Sequence, residues 1–329
     1  MSLDLNALAG STAWQGAGVA IPDGSTSDQA IKLAGLDWDV ETAPIVTNDQ
    51  KKTSVDDYRV TRRMQDNAIL GVVPKRFKPI QNREAFTMFD NVISQGRMGL
   101  TAAGQMRGGS RVFIVAKMPD VLEIGKGIGD IDVVERYLLL SNAHDGTRPL
   151  QMVFTPIRVA CENTLNLALN VEKSGDEKTK LAPRARILHN SKAGFMMKQA
   201  EKTMGKALQY YTKFGEFSEV LYRKQLGTAQ VKNIIAEVFP PNKKRETTPA
   251  IVGHRTMVED LFTSGKGHEK IAGSAWALIN AFAEYADHGY ATRKANKTND
   301  PAERSYSIWM GGALGMKQRA TNVIAEAVV

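Results

Sequence analysis

The chain is predicted to be an α+β protein: an antiparallel β-meander followed by helices (a β-β-β-α core), with a helical C-terminal extension. Three observations predict it. Strand-like apolar runs recur between residues 111 and 155, a long stretch of helical period covers 191–223, and the last sixty residues alternate apolar helical patterns with glycine breaks. Hydrophobic residues make up 43% of the 329 and charged residues 24%, enough to build a packed core, so wholesale disorder is excluded.

The first fifty residues read as a poorly packed lead-in, rich in Gly, Ser and Asp around Pro22-Asp23-Gly24-Ser25-Thr26. Within it a short helix is expected from Ser27 to Ala34, capped by Ser27 or Asp28, before the strand-like Leu36-Asp37-Trp38-Asp39-Val40. Residues 1–57 are expected to form an acidic arm, either inert or laid over a basic groove or a neighbouring subunit. From Tyr58 the pattern turns to strands. Tyr58–Arg63 and Leu70–Val73 bracket the turn Gln65–Ala68 as a hairpin, and Asn82–Gln95 carries Phe86, Phe89 and Ile93 at helical spacing.

The most regular section follows. Arg111–Lys117, Glu135–Ser141 and Leu150–Thr155 are three strands, and Asp145-Gly146 supplies the positive φ that the turn between the last two needs. Asn163–Val171 is expected to be helical, completing a β-β-β-α unit with one sheet face free. Ser191–Arg223 reads as a long amphipathic helix with Lys198, Lys202 and Lys206 in one stripe. Asn242–Thr248 reads as a loop, and Ile271–His288 and Trp309–Val329 as further helices. The division expected is an acidic arm (1–57), an α+β core (58–225) and a mainly helical region (226–329).

Charge narrows the function. The net charge is +8, but residues 1–57 hold three Lys or Arg against nine Asp or Glu, while 173–250 hold sixteen against seven. A basic region of this size attracts polyanions through counterion release, and a merely solvated basic surface is the alternative. Single-strand binders set positive charge along the backbone and flat side chains under the bases. Arg59, Arg62, Arg63, Lys75, Arg76, Arg107 and Arg111, with the lysine stripe 198/202/206, are the candidate contacts, and Tyr58, Phe77 and Phe113 the candidate stacking surfaces.

Other classes have less to stand on. Gly125-Lys126-Gly127-Ile128-Gly129 and Ser264-Gly265-Lys266-Gly267-His268 fit neither the dinucleotide fingerprint nor a phosphate-binding loop, so no nucleotide cofactor is expected. The five histidines are scattered and form no ligand pair, so no metal is expected. The lone Cys161 rules out an intramolecular disulfide and reads as a buried thiol rather than the partner of His144 or His189. No run approaches the roughly 18 uncharged apolar residues of a membrane span, and no secretory signal is evident, so a cytoplasmic protein is expected.

Six segments carry a resemblance: Trp14-Gln15-Gly16, Gly35–Val40, Leu70–Val73, Gln81–Phe86, Asn142–Gly146 and Arg158-Val159-Ala160-Cys161-Glu162-Asn163-Thr164-Leu165. Together they resemble an uncharacterised phage/plasmid-like protein family, a domain of unknown function found in phages, prophages and plasmids. The last segment is the most specific. That family commonly has an Arg-His pair further on, whereas Ile187-Leu188 separates Arg186 from His189 here. The resemblance implies a mobile-element setting and supplies no catalytic residues.

The strand–helix order also looks like the core of phage single-strand-annealing recombinases, at the level of fold alone. On that likeness the expectation is an ATP-independent, non-enzymatic, homo-oligomeric protein that binds and anneals single-stranded DNA. The alternatives are an interaction protein that inhibits or decoys a host defence factor or nuclease, and a nucleic-acid enzyme built on His144, Asp145, Glu162 and Asn163. Within the signature segment Arg158 is expected at a strand end, facing a groove and holding a phosphate. Arg158→Ala is then expected to weaken binding without unfolding the protein.

Overall fold

The computed structural model describes residues 18–160, 164–165, 169–172, 178–181, 184–187, 193–241, 247–289 and 301–328. It is an α+β fold with antiparallel sheets, most helices after the strands, and a helical C-terminal extension. The central sheet has six strands in the order β1-β5-β6-β7-β8-β11: β1 (Gly18–Ala20), β5 (Gly99–Met106), β6 (Arg111–Ile124), β7 (Asp132–Ala143), β8 (Leu150–Arg158) and β11 (Arg184–Ile187). A second sheet joins β2 (Val40–Val46), β3 (Ser54–Arg63) and β4 (Ile69–Pro74).

The expected meander is β6-β7-β8, each strand longer than its apolar run. Successive pairs such as Ile114↔Leu140 and Leu140↔Met152 fix the register. Contrary to the expectation of a free sheet face, both faces are covered, and all nine residues of β8 are buried. On one side Phe154 meets Tyr210 of α3 (Ala193–Arg223) at 5.5 Å between ring centroids. On the other Phe113 meets Trp309 of α7 (Pro301–Met310) edge-on at 5.2 Å. Strand alternation puts Phe113 and Phe154 on opposite faces, since Phe154 pairs through Leu138 with Ala116.

The lead-in is not loose where it is described. Ile21, Ala30, Ile31, Leu36, Trp38 and Val40 are buried in the main core. α1 (Ser27–Leu33) is capped by Thr26, one residue before the expected caps, in a reciprocal pair with Gln29. Residues 36–39 are irregular, and the strand starts at Val40. Three of its acidic side chains pair within the chain: Asp37 with Arg83 of α2 (Asn82–Gly96) at 2.7 Å, Asp28 with Arg83 and Lys32, and Glu41 with Arg62 at 2.6 Å.

The two sheets meet at the β7–β8 turn. Gly71 of β4 lies so close to Asp145 that a Cβ there would be 2.6 Å from the Asp145 Cα. Thr61 of β3 donates to the His144 carbonyl at 2.7 Å. His144 and Asn82 join at 2.9 Å between Nε2 and Oδ1, and Asn82 donates to the Leu36 carbonyl at 3.0 Å. A turn expected merely to reverse the chain therefore seats the second sheet.

The helix expected over Asn163–Val171 is absent from its described part. Thr164 bridges back to Ile157, and Leu169–Glu172 is strand β9, paired with β10 (Lys178–Leu181). A short apolar run does not distinguish strand from helix by periodicity, and pairing decided here. The long helix that packs on the Phe154 face of the meander is α3. Beyond it come α4 (Thr228–Val238), α5 (Pro249–Ser264), α6 (Ala275–Glu284) with a π turn at Tyr285–Gly289, and α8 (Gly312–Val328). No described helix is long and apolar enough to cross a membrane.

Candidate nucleic-acid interface

The β5–β6 corner and the β7–β8 turn bring three arginines to one tyrosine. Arg107 sits at positive φ, a conformation costly outside glycine, with Gly108 and Gly109 following it through the corner. Its guanidinium carbon lies 4.2 Å from the centroid of the Tyr306 ring, and that of Arg111 4.3 Å. Arg148, at the end of the turn, donates to the Tyr306 hydroxyl from Nη2 at 3.3 Å and to the Met310 carbonyl at 3.1 Å. Burial pushes the Tyr306 phenol up, but the Arg148 hydrogen bond and the charges of Arg111 and Arg148 outweigh it and hold the phenol below its ordinary range.

Of the expected contacts, Arg107 and Arg111 belong to this cluster. Arg111 is only 3% exposed and is tied to Asp145 at 3.1 Å and Thr147 at 2.8 Å, so it forms the floor of the cluster rather than a surface contact. Phe77 lies beside Gly146 of the same turn, and the exposed Lys75 and Arg76 precede it in the chain. The remaining strand arginines are engaged locally. Arg62 pairs with Glu41, Arg63 with Asp66 at 3.0 Å while lying over Trp38, and Arg59 donates to the Tyr58 carbonyl at 2.8 Å.

Lys202 and Lys206 are exposed one turn apart on α3 and have no ion-pair partner among the described residues. The backbone of Lys198 lies in α3, and its side chain lies outside what is described. Among the stacking candidates, Tyr58 is exposed, Phe77 half-buried, and Phe113 wholly buried in the sheet.

Arg158 corrects the expectation most sharply. It faces no groove. Its side chain is sealed from solvent, with Nε 2.7 Å from Asp132 and its Nη atoms donating to the carbonyls of Lys266 at 3.2 Å and Gly267 at 2.6 Å. The other described end of the signature segment is pinned as firmly. Thr164 donates from its backbone N–H to Asp287 at 2.7 Å and accepts from Lys317 at 2.5 Å, while Lys317 pairs with Asp287 at 2.8 Å. Cys161, Glu162, Asn163 and His189 lie outside the described residues. Of the catalytic grouping expected around His144, the described members diverge: the His144 ring meets Asn82, and Asp145 meets Arg111 and Thr147.

Sequence reasoning missed Arg148 and Tyr306. Arg148 was absorbed by the turn it ends. Tyr306 has no motif, and the signal that could have raised it is an aromatic residue on a helix otherwise buried against the meander. No curated protein and no solved structure matches the chain. The model of the family described as Domain of unknown function (DUF932) matches residues 69–309, from the start of β4 almost to the end of α7, and the chain belongs to that family.

Proposed function

We propose that this protein binds single-stranded DNA and anneals it without nucleotide hydrolysis, acting as an oligomer encoded by a phage or another mobile element. The observation that carries the reading is the rim around the β7–β8 turn, where Arg107 and Arg148 flank Tyr306 and Lys75-Arg76 adjoin Phe77. Arginine planes and aromatic rings at one place suit a flexible polyanion whose bases are free to stack. Lys202 and Lys206, exposed and with no ion-pair partner among the described residues, add charge of the kind that tracks a backbone. The meander followed by the long helix α3 keeps the strand–helix order of annealing recombinases, an argument from fold alone.

The test is anisotropy of a labelled single strand titrated at several salt concentrations, with mass measured in parallel with and without the strand. Binding that weakens steeply with salt, together with assembly and faster pairing of complementary strands, supports the reading. No binding at low salt removes it.

A second reading has its own observation. Tyr58, Ile69 and Val72 are exposed on β3 and β4, apolar surface of the sort that marks a protein contact. A host defence factor or nuclease captured from host lysate, and lost with Val72→Lys, would favour that inhibitor or decoy role.

A further inference from the structure

Arg111 holds an unusual balance of partners. Its side chain is nearly sealed from solvent, yet the acceptors it meets among the described residues, Asp145 at 3.1 Å and Thr147 at 2.8 Å, are both on Nη2. Among the described residues Nε and Nη1 are buried with no hydrogen-bond acceptor, and what lies over the guanidinium is the ring of Tyr306. A π face compensates a buried charged donor only in part. Arg148 is similarly under-used: its partners among the described residues are the neutral Tyr306 hydroxyl, at the long distances of 3.3 and 3.4 Å, and the Met310 carbonyl. Around this point the described residues set the guanidinium groups of Arg111 and Arg148 against one carboxylate, Asp145. The mouth is open, with Arg107, Gly146 and Thr147 exposed and Tyr306 itself half-buried.

We propose that Tyr306 covers a phosphate site: its side chain swings aside and a phosphate group takes its place, accepting from Nη1 of Arg111 and from Arg148. The Nε/Nη2 fork of Arg148 and a buried donor of Arg111 then meet an oxyanion instead of a phenol and a ring, a charge-assisted partner for each. The site itself stands on these contacts. Its assignment to a phosphodiester of a single strand, rather than to free phosphate, rests on the function proposed above.

The exchange predicts that removing the cover strengthens binding, because the uncovered form no longer has to be reached from the covered one. Inorganic phosphate is titrated into the full chain by calorimetry, with wild type, Tyr306→Ala, Arg148→Gln and the Tyr306→Ala/Arg148→Gln pair, each checked for an unchanged melting transition. Arg148 is half-buried with no carboxylate partner among the described residues, so Arg148→Gln is the variant that keeps its fold if Tyr306→Ala does not.

The expected result is phosphate bound about tenfold more tightly by Tyr306→Ala than by wild type, with Arg148→Gln losing it in either background. A short unphosphorylated single strand that competes with phosphate assigns the site to nucleic acid. If phosphate binding tightens but the strand neither binds nor competes, the site stands with free phosphate as its ligand and the nucleic-acid reading falls. If the strand binds while phosphate binds none of the proteins, the phosphate site is overturned and the strand is held elsewhere.

Discussion

Arg158 and Asp132 form an ion pair from which water is excluded: Nε stands 2.7 Å from Oδ2, and the side chains are 0% and 2% exposed. The same carboxylate oxygen accepts from the Trp276 indole at 2.7 Å, while the far side of the guanidinium donates to the Lys266 and Gly267 carbonyls. The exit of β8 is thus riveted to the start of β7 and to the loop before α6. The signature segment is held at its described ends by two such buried pairs, Arg158–Asp132 and Lys317–Asp287.

Arg158→Ala should therefore cost stability rather than affinity. Removing one partner of a buried pair leaves the other charge uncompensated, worth about 3–5 kcal/mol. Urea unfolding measures the loss, and single-strand affinity per folded molecule should not change. A variant of native stability with weakened binding would return Arg158 to the ligand.

Lys317 supplies a second test of the same physics. Burial pulls its ammonium below the ordinary lysine range, and Asp287 opposes that pull. Lys317→Met strands Asp287 and should destabilise by about 3–5 kcal/mol, whereas Lys317→Met/Asp287→Asn should recover part of the loss. Strictly additive effects in this double-mutant cycle would show that the two groups do not interact.

His268 makes stability depend on pH. It lies in the interior beside the Arg158–Asp132 pair, with Glu284 4.0 Å from its Nε2 and Glu269 next in sequence. Burial, reinforced by the Arg158 charge, holds its imidazole below the usual histidine range, and the Phe262 carbonyl and the charges of Asp132 and Glu269 offset this only in part. The unfolded chain then takes up the proton first. Stability should fall as the pH drops through the ordinary histidine range towards the lower folded value, and be unaffected by this group above that range. The melting temperature of wild type should fall relative to that of His268→Gln as the pH drops through this range. Parallel curves would remove His268 from the acid response.

Much of the scaffold was legible because its signals are local. The β6-β7-β8 meander is written in β-branched and leucine-rich runs around an Asp-Gly turn, and α3 in one long amphipathic period. The packed lead-in was not legible: Ile31, Leu36 and Trp38 are spaced among Gly, Ser and Asp, and only contact with α2 and β5 shows them to be core. Nor was the fate of the strand-end arginines. Arg111 and Arg158 have the position expected of phosphate ligands, and what buries them arrives from Asp145 and Tyr306 in one case and from Asp132 and residues 266–267 in the other. Tyr306 lies almost two hundred residues beyond the corner it covers, a distance over which no spacing rule operates.

The α3 lysines give the cleanest measurement of the nucleic-acid reading, because no ion pair among the described residues depends on them. Both are exposed and one helical turn apart, and Ala207, Tyr210 and Tyr211, not the lysines, pack α3 inward. Lys202→Gln/Lys206→Gln should leave stability within about 0.5 kcal/mol of wild type, as surface changes away from special features do. If each lysine meets one phosphate, the slope of log affinity against log salt should shrink by about 1.4, at roughly 0.7 per phosphate on a single strand. The weakening should be the same for every base sequence, since a phosphate contact reads no base. Anisotropy titrations on two unrelated strands settle it: an unchanged slope puts the strand elsewhere than α3, and a loss confined to one strand means that α3 reads bases.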